Sequence, residues 1–84
     1  MSAAVNALAE AVQRRVGERV RALRTGRGLT QLRLAGRAGL SRPSLANIEA
    51  GRQNLGVRQL CALAEALGVP VEELLAEDRT RSDE

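Results

Sequence analysis

Gly39 separates two short runs of helical spacing, and this arrangement constrains the fold more than any other feature of the chain. Leu34 and Ala38 precede it four positions apart, as on one face of a helix. Glycine takes a positive φ without steric cost, so Gly39 can end the first helix in the left-handed conformation. Ser41 then offers a side-chain oxygen to the free N–H groups of a new helix. The stretch 30–49 is therefore predicted to form two helices joined by a turn.

The second helix of this pair has an apolar face for the core and leaves other faces free. Leu45 and Ile48 lie three positions apart and are expected to be buried. The positions left on other faces include Arg42, Pro43, Ala46 and Asn47. Ala35, in the first helix, has a side chain small enough for the two helices to cross closely, and a larger residue there would splay them.

Helical spacing and end signals predict an all-α chain of five helices. They cover about residues 2–24, 31–38, 42–50, 57–67 and 71–76. Gly17 disfavours helix by about 1 kcal/mol relative to alanine, so the first helix either continues through it or breaks there. Pro43 biases the preceding residue away from helix, which leaves either Ser41 or Arg42 as the cap of the third helix. Pro70 suits the first turn of the fifth helix.

The chain contains no Phe, Tyr or Trp, so leucine, valine and alanine must form its core. Eighty-four residues make one domain of modest stability. Proteins that read single-stranded nucleic acids usually stack bases on aromatic side chains, which are missing here. The composition therefore disfavours the RNA-recognition, cold-shock and oligonucleotide-binding folds.

Cys61 is the single cysteine, and the chain has no histidine. A disulfide within the chain and a metal-ligand cluster are thus excluded, and with them zinc-finger chemistry. The place of Cys61 in the apolar stripe of the fourth helix favours a buried small hydrophobe over a redox sensor. No apolar run reaches membrane-spanning length and no signal-peptide pattern opens the chain, so we expect a cytoplasmic protein without membrane contact. We expect no cofactor, no metal and no small-molecule ligand.

Charge is segregated along the chain. Residues 14–58 carry eleven arginines and two glutamates, a net charge of +9, whereas residues 59–84 carry two arginines and seven acids, a net charge of −5. The basic part suits contact with phosphate groups, and DNA would repel the acidic part. A coding bias explains the use of arginine instead of lysine, but it does not explain the segregation.

Four segments between residues 16 and 75 occur in a specific order: VGERVRALR, GLTQ, LAGRAGLSRPSLANIEAGRQN and LCALAEALGVPVEELL. Together they resemble the Cro and lambda-repressor-like helix-turn-helix transcription regulators, the XRE type. The resemblance implies a compact five-helix DNA-binding domain, here residues 14–76. Residues 1–13 would form an extension that either continues into the first helix or frays, and residues 77–84 a polar disordered tail.

In proteins that this chain resembles, four positions near the start of the third helix meet base edges in the major groove. The matching residues are Arg42, Pro43, Ala46 and Asn47. Arg42 suits guanine O6 and N7, or a phosphate if its backbone is extended, and Asn47 suits adenine or a phosphate. Pro43 departs from the polar residue common at this place and offers only apolar contact, for example to a thymine methyl group.

The resemblance also implies contacts to the DNA backbone. Gln31, at the start of the second helix, matches the family's phosphate-binding glutamine, and the free N–H groups of that helix end add attraction for an anion. A solvated glutamine is the alternative interpretation. Weaker candidates for phosphate contact are Arg37, Ser44, Arg52, Gln53 and Asn54.

Arg24 and Glu49 match a pair that joins the first helix to the end of the third in the family that the chain resembles. Glu49 is one of only two acids among residues 14–58, and so isolated an acid favours a basic partner. If the pair is largely buried, loss of one member costs about 3–5 kcal/mol, and if it is exposed, under about 1 kcal/mol.

One short helix-turn-helix reads few base pairs, so we predict a two-fold homodimer on a palindromic operator. The predicted dimer surface is the fifth helix, where Val71, Leu74 and Leu75 supply more apolar residues than a short terminal helix usually needs. These three residues either form that surface or close the core. The extension, residues 1–13, is the second candidate surface.

These expectations describe a dimeric repressor or an autoregulatory controller, such as a restriction-modification controller protein. RNA polymerase is a further candidate partner, through the acidic surface from Glu65 to Asp78. The alternative is a protein-interaction module or antitoxin-like adaptor without strong DNA binding, which the weak hydrogen-bonding capacity of Pro43, Ala46 and Gly36 favours. An enzyme is not expected, because the sequence has no histidine, no pairing of nucleophile and base, and no phosphate-cradling glycine loop.

Overall fold

A computed structural model describes residues 2–77, and within them the chain forms five α-helices and no strand. The helices are α1 (Ala3–Gly26), α2 (Gln31–Ala38), α3 (Arg42–Glu49), α4 (Val57–Leu67) and α5 (Val71–Leu75). The all-α fold is as predicted, and each helix end lies within two residues of its expected place. Apart from Glu77, the predicted polar tail lies outside the described residues. Across residues 2–77, no helix combines the length and the apolar character needed to span a lipid bilayer.

Side-chain caps fix the starts of the first three helices. Ser2, Thr30 and Ser41 each accept a hydrogen bond, through the side-chain oxygen, from the backbone N–H three residues later, at 3.1 Å. Ser41 is therefore the cap of α3 and Arg42 its first helical residue, which decides between the two alternatives that Pro43 left open. Proline is tolerated in the first turn because N–H groups there have no partner within the helix.

Gly39 ends α2 in the left-handed conformation, with a φ of 70° and a ψ of 31°. The next N–H, that of Leu40, donates to the carbonyl of Ala35 at 2.8 Å and closes the helix end. Leu40 then packs against the core. The turn between α2 and α3 is thus the one that the sequence predicts.

α1 does not break at Gly17, and the helix continues through it to Gly26. Gly17 is buried against the end of α3, where a β-carbon would meet the carbonyl oxygen of Ile48 and lie 2.8 Å from the carbonyl oxygen of Glu49. The missing side chain lets α1 and α3 cross closely. The packing gained by this close approach offsets the poor helix propensity of glycine.

The core consists of aliphatic side chains from all five helices. Its fully buried larger members are Val16 and Val20 of α1, Leu34 of α2, Leu45 of α3, Leu63 of α4 and Leu74 of α5. Ala35 is buried as well. α3 packs on both α1 and α2, so it is held by two helices and not by α2 alone.

The interpretation of Leu74 as part of a dimer surface was wrong, because this residue is completely buried in the core. α5 packs on both α1 and α4, and its single well-covered leucine closes the space between them. Leu75, the next residue, stays 41% exposed. Of the other two predicted residues, Val71 is half-buried and packs against the core, and Leu75 remains exposed.

Cys61 is exposed, which contradicts the prediction of a buried small hydrophobe. The buried stripe of α4 runs through Leu63, Ala64 and Leu67, and Leu60 packs against it. Successive residues are rotated by about 100° around a helix axis, so Cys61 lies beside this stripe and not in it.

Two ion pairs tie the end of the described chain to α1. Arg19 Nη2 lies 3.5 Å from Glu73 Oε1, and Arg19 Nε donates to the backbone carbonyl of Glu73 at 3.1 Å. Arg15 Nη2 lies 3.6 Å from Glu77 Oε2. Part of the acidic segment therefore neutralises the arginines of α1 on the side of the domain that α5 covers.

Candidate nucleic-acid interface

The start of α3 forms an exposed surface on a helix whose opposite side is anchored. Leu45 and Ile48 are 0% and 2% exposed and fix α3 in the core. Of the four predicted base-contact residues, Arg42, Pro43 and Asn47 are exposed and Ala46 is half-buried. They are two pairs of neighbours, 42–43 and 46–47, and residues four positions apart lie on the same side of a helix, so all four share one helix face. The structure thus brings these four residues together at the surface.

The four side chains differ in what they can bind. The Arg42 guanidinium offers several N–H donors, and the Asn47 amide offers both donors and an acceptor. These are the two groups that pair bidentately with the major-groove edges of guanine and adenine. Pro43 has no donor, and Ala46 has only a methyl group. Hydrogen bonding from this surface is therefore limited to Arg42 and Asn47.

Glu49 lies at the centre of a buried polar cluster that joins α1 and α3. Arg24 Nε donates to Glu49 Oε2 at 2.7 Å, and Arg24 Nη2 donates to Oε1 at 3.1 Å. The side chains of Arg24 and Glu49 are 12% and 4% exposed. Arg24 Nη1 also donates to the carbonyl of Leu29 at 2.8 Å. The structure therefore contains the predicted pair, in its largely buried and bidentate form.

Gln31 also belongs to this cluster, and the sequence does not predict its contact with Glu49. Its Nε2 donates to Glu49 Oε1 at 3.0 Å, and the residue is half-buried. This bond uses one of the two amide N–H groups and leaves the other for a further acceptor. The partners are 18 positions apart, and no local signal in the sequence links them. We call Arg24, Gln31 and Glu49 the Glu49 cluster.

Two further hydrogen bonds brace the loop 50–56 between α3 and α4. Gln53 Nε2 donates to Ser44 Oγ at 2.8 Å, and Gln13 Nε2 donates to Asn54 Oδ1 at 2.7 Å. Ser44, Gln53 and Asn54, predicted as phosphate contacts, thus have partners inside the protein. Gln13 was not among the predicted site residues, and its link to the loop spans 41 positions.

Apart from Arg24, which pairs with Glu49, the arginines of residues 2–77 fall into two groups. Arg15 and Arg19 pair with acids at and after α5. The second group is exposed and has no acid of residues 2–77 within 4.0 Å; it includes Arg14, Arg33, Arg37, Arg42 and Arg52. Arg33, Arg37, Arg42 and Arg52 belong to α2, to α3 and to the loop after α3. The other four members, Arg14, Arg21, Arg27 and Arg58, belong to α1, to the loop after it and to α4. Free positive charge around the exposed start of α3 attracts a polyanion.

A family model described as helix-turn-helix matches residues 20–74. An immunity repressor protein of Bacillus phage phi105 is 44% identical over 69 residues, which are 82% of this chain and 48% of the relative. The HTH-type transcriptional regulator DdrOP3 of Deinococcus deserti is 43% identical over 58 residues, 69% of this chain and 45% of the relative. The chain spans about half the length of these two curated relatives.

A solved structure is similar over nearly the whole of its own length. The crystal structure of the restriction-modification controller protein C.AhdI from Aeromonas hydrophila matches with a TM-score of 0.74 and 38% sequence identity. The match covers 76% of this chain and 97% of the controller. The fold of about three quarters of this chain is therefore shared with a solved restriction-modification controller protein.

Proposed function

Because the chain belongs to the helix-turn-helix family of Cro and lambda-repressor-like regulators, we propose that it regulates transcription by binding double-stranded DNA through α3. The observation that carries this proposal is the exposed start of α3, where Arg42 and Asn47 stand on a helix whose other side is buried. An α-helix fits the width of the major groove, and the base edges there present a distinct hydrogen-bond pattern for each base pair.

Arg42 and Asn47 read the bases in this proposal. Arg42 is the first helical residue and not an extended cap, which favours a base over a phosphate as its partner. Its guanidinium pairs with guanine O6 and N7, and the Asn47 amide pairs with adenine. Pro43 and Ala46 add apolar contact, for which the thymine methyl group is the suitable partner.

The exposed arginines and the start of α2 position the domain on the DNA backbone. Arg37 and Arg52 carry free charge on the two elements that flank α3. Gln31 keeps one amide N–H for a phosphate, and its bond to Glu49 orients that amide at the start of α2. Contacts of this kind fix the register of α3 and carry no sequence information directly.

We further propose a homodimer on a palindromic operator, which lets two copies of α3 read two half-sites. With Leu74 in the core, α5 offers a partner the exposed Leu75 and the exposed part of the half-buried Val71. The start of α1, where Val5 and Leu8 are 46% and 63% exposed, is the second candidate surface. A dimer that forms only at sufficient concentration suits a repressor or an autoregulatory controller. Contact with RNA polymerase would add activation.

Selection of bound sequences from random duplex DNA tests the proposal. We expect a palindrome whose half-sites have centres about 10–10.5 base pairs, or a multiple of this, apart. A single enriched half-site would contradict the dimer. No enrichment, together with weak binding that stays flat between about 50 and 200 mM salt, would indicate a protein-interaction module instead.

Arg42→Ala is expected to lower the affinity for the selected duplex by about 1–3 kcal/mol and to relax the preference at one base position. Its matched control is Arg37→Ala, which removes another exposed arginine, from α2. The control should weaken binding to all sequences alike. Titrations against the selected duplex and a scrambled one separate the two effects. If Arg42→Ala loses the same affinity for both duplexes, Arg42 contacts a phosphate and not a base.

A further inference from the structure

A polar groove lies between the first turns of α1 and the loop after α3. Asn6, Gln13 and Arg14 line it from α1, and Arg52 and Asn54 line it from the loop. The hydrogen bond from Gln13 Nε2 to Asn54 Oδ1, at 2.7 Å, holds the two walls together. The groove is thus a formed surface between two elements and not the exposed face of one helix.

The aliphatic part of the Arg14 side chain packs closely against Gly51, in the loop after α3. A β-carbon on Gly51 would lie 2.9 Å from Arg14 Cγ and 3.1 Å from Arg14 Cα, so only glycine admits this contact. Gly51 also has a φ of 74°, which disfavours other residues. The guanidinium of Arg14 has no salt bridge to any acid in the described part of the chain, although Glu10 lines the same groove.

We propose that this groove binds a phosphate of the DNA backbone outside the base pairs that α3 reads. The inference rests on the proposed function, because Arg52 and Asn54 are shared between the groove and the candidate phosphate contacts of the loop. A DNA strand that passes the loop after α3 would next meet Arg14. This arginine, unpaired among residues 2–77, offers the phosphate a positive charge, and Asn6 and Gln13 offer it amide groups.

The contact lies in the first turns of α1, where Asn6 and Gln13 belong to the extension, residues 1–13, and Arg14 follows it directly. The helix-turn-helix match begins at residue 20, so Asn6, Gln13 and Arg14 all lie before it. α1 has 24 residues and is therefore about 36 Å long, and its residues 3–10 are exposed throughout. The extension lengthens the surface along which the protein meets the DNA backbone, and it adds affinity without adding sequence specificity.

Two duplexes and two variants test this contact. One duplex contains only the selected base pairs, and the other adds about one helical turn, roughly 10 base pairs, on each side. Arg14→Ala should weaken binding to the long duplex several-fold and to the short duplex hardly at all. The matched control is Arg15→Ala, which removes the adjacent arginine that faces Glu77. Arg15→Ala should bind both duplexes like the wild type.

The salt dependence gives a second readout. On the long duplex, Arg14→Ala should reduce the slope of log affinity against log salt by about 0.9 for each protomer that makes the contact, and Arg14→Lys should restore it. Equal losses in Arg14→Ala and Arg15→Ala, or an undiminished loss on the short duplex, would overturn the proposal. If the wild type binds neither duplex, the proposed function fails instead. Equal thermal midpoints of the variants confirm that each is folded.

Discussion

Gly17→Ala is expected to lower the free energy of unfolding by about 2–3 kcal/mol, although alanine is the better helix former. The new β-carbon would meet the carbonyl oxygen of Ile48 and lie 2.8 Å from that of Glu49. These are backbone atoms of α3, which cannot move aside as the end of a flexible side chain can. α1 and α3 must therefore separate. This separation loosens the packing of Val16 and Val20, the buried valines of α1. For a domain of this size, the thermal midpoint falls by roughly 10–20 °C.

Gly36→Ala is the matched control, because it makes the same change inside another helix. Gly36 is exposed in α2, and a β-carbon there has nothing within 4 Å. The variant should gain about 0.5–1 kcal/mol from the better helix propensity of alanine. Thermal unfolding of the two variants beside the wild type should therefore give shifts of opposite sign. A Gly17→Ala protein as stable as the wild type would contradict the close approach of α1 and α3.

Gly17→Ala should also affect the proposed DNA contact. Gly17 lies against the end of α3, and the start of that helix carries Arg42 and Asn47. A shift of α3 away from α1 changes the angle at which these side chains would enter the groove. Below the melting temperature, where Gly17→Ala is still folded, we expect weaker binding to the selected duplex and an altered preference among its bases.

The sequence predicts the helices well because their ends depend on local chemistry. Gly39 and Gly68 both have a φ near 70°, and Thr30 and Ser41 cap the helices that follow them. These signals act over three or four residues and can be read directly. The exposure of Arg42 and Asn47 follows in the same way, since the burial of Leu45 and Ile48 fixes the rotation of α3.

Several features that the sequence misses depend on contacts between distant residues. Gly17 is a weak point of an isolated helix and becomes favourable only because the end of α3 lies against it. The bonds of Gln31 to Glu49 and of Gln13 to Asn54 span 18 and 41 positions. Apolar spacing also does not show how far a buried stripe extends around a helix, which is why Leu74 and Cys61 were assigned to the wrong surroundings.

Arg24→Met is expected to lower the free energy of unfolding by about 3–5 kcal/mol, because it leaves the Glu49 carboxylate buried without its cation. The Glu49 side chain is only 4% exposed, so water cannot replace the two lost hydrogen bonds. Gln31 remains as a single neutral donor, which compensates for one bond and not for the charge. Urea unfolding measures the loss. Arg15→Ala is the control for an exposed pair, and it should change stability by less than about 1 kcal/mol.

The double variant Arg24→Met with Glu49→Met separates the charge from the packing. Two apolar side chains of similar length need no partners, so we expect the double variant to recover most of the stability that Arg24→Met loses. Its remaining deficit would come from the Gln31 amide, which then has no acceptor in the Glu49 cluster, and from the Leu29 carbonyl, which loses the Arg24 Nη1 donor. If the double variant is as unstable as the single one, the loss arises from the packing of the Arg24 side chain. The Glu49 cluster would then hold α1, α2 and α3 together by shape and not by its ion pair.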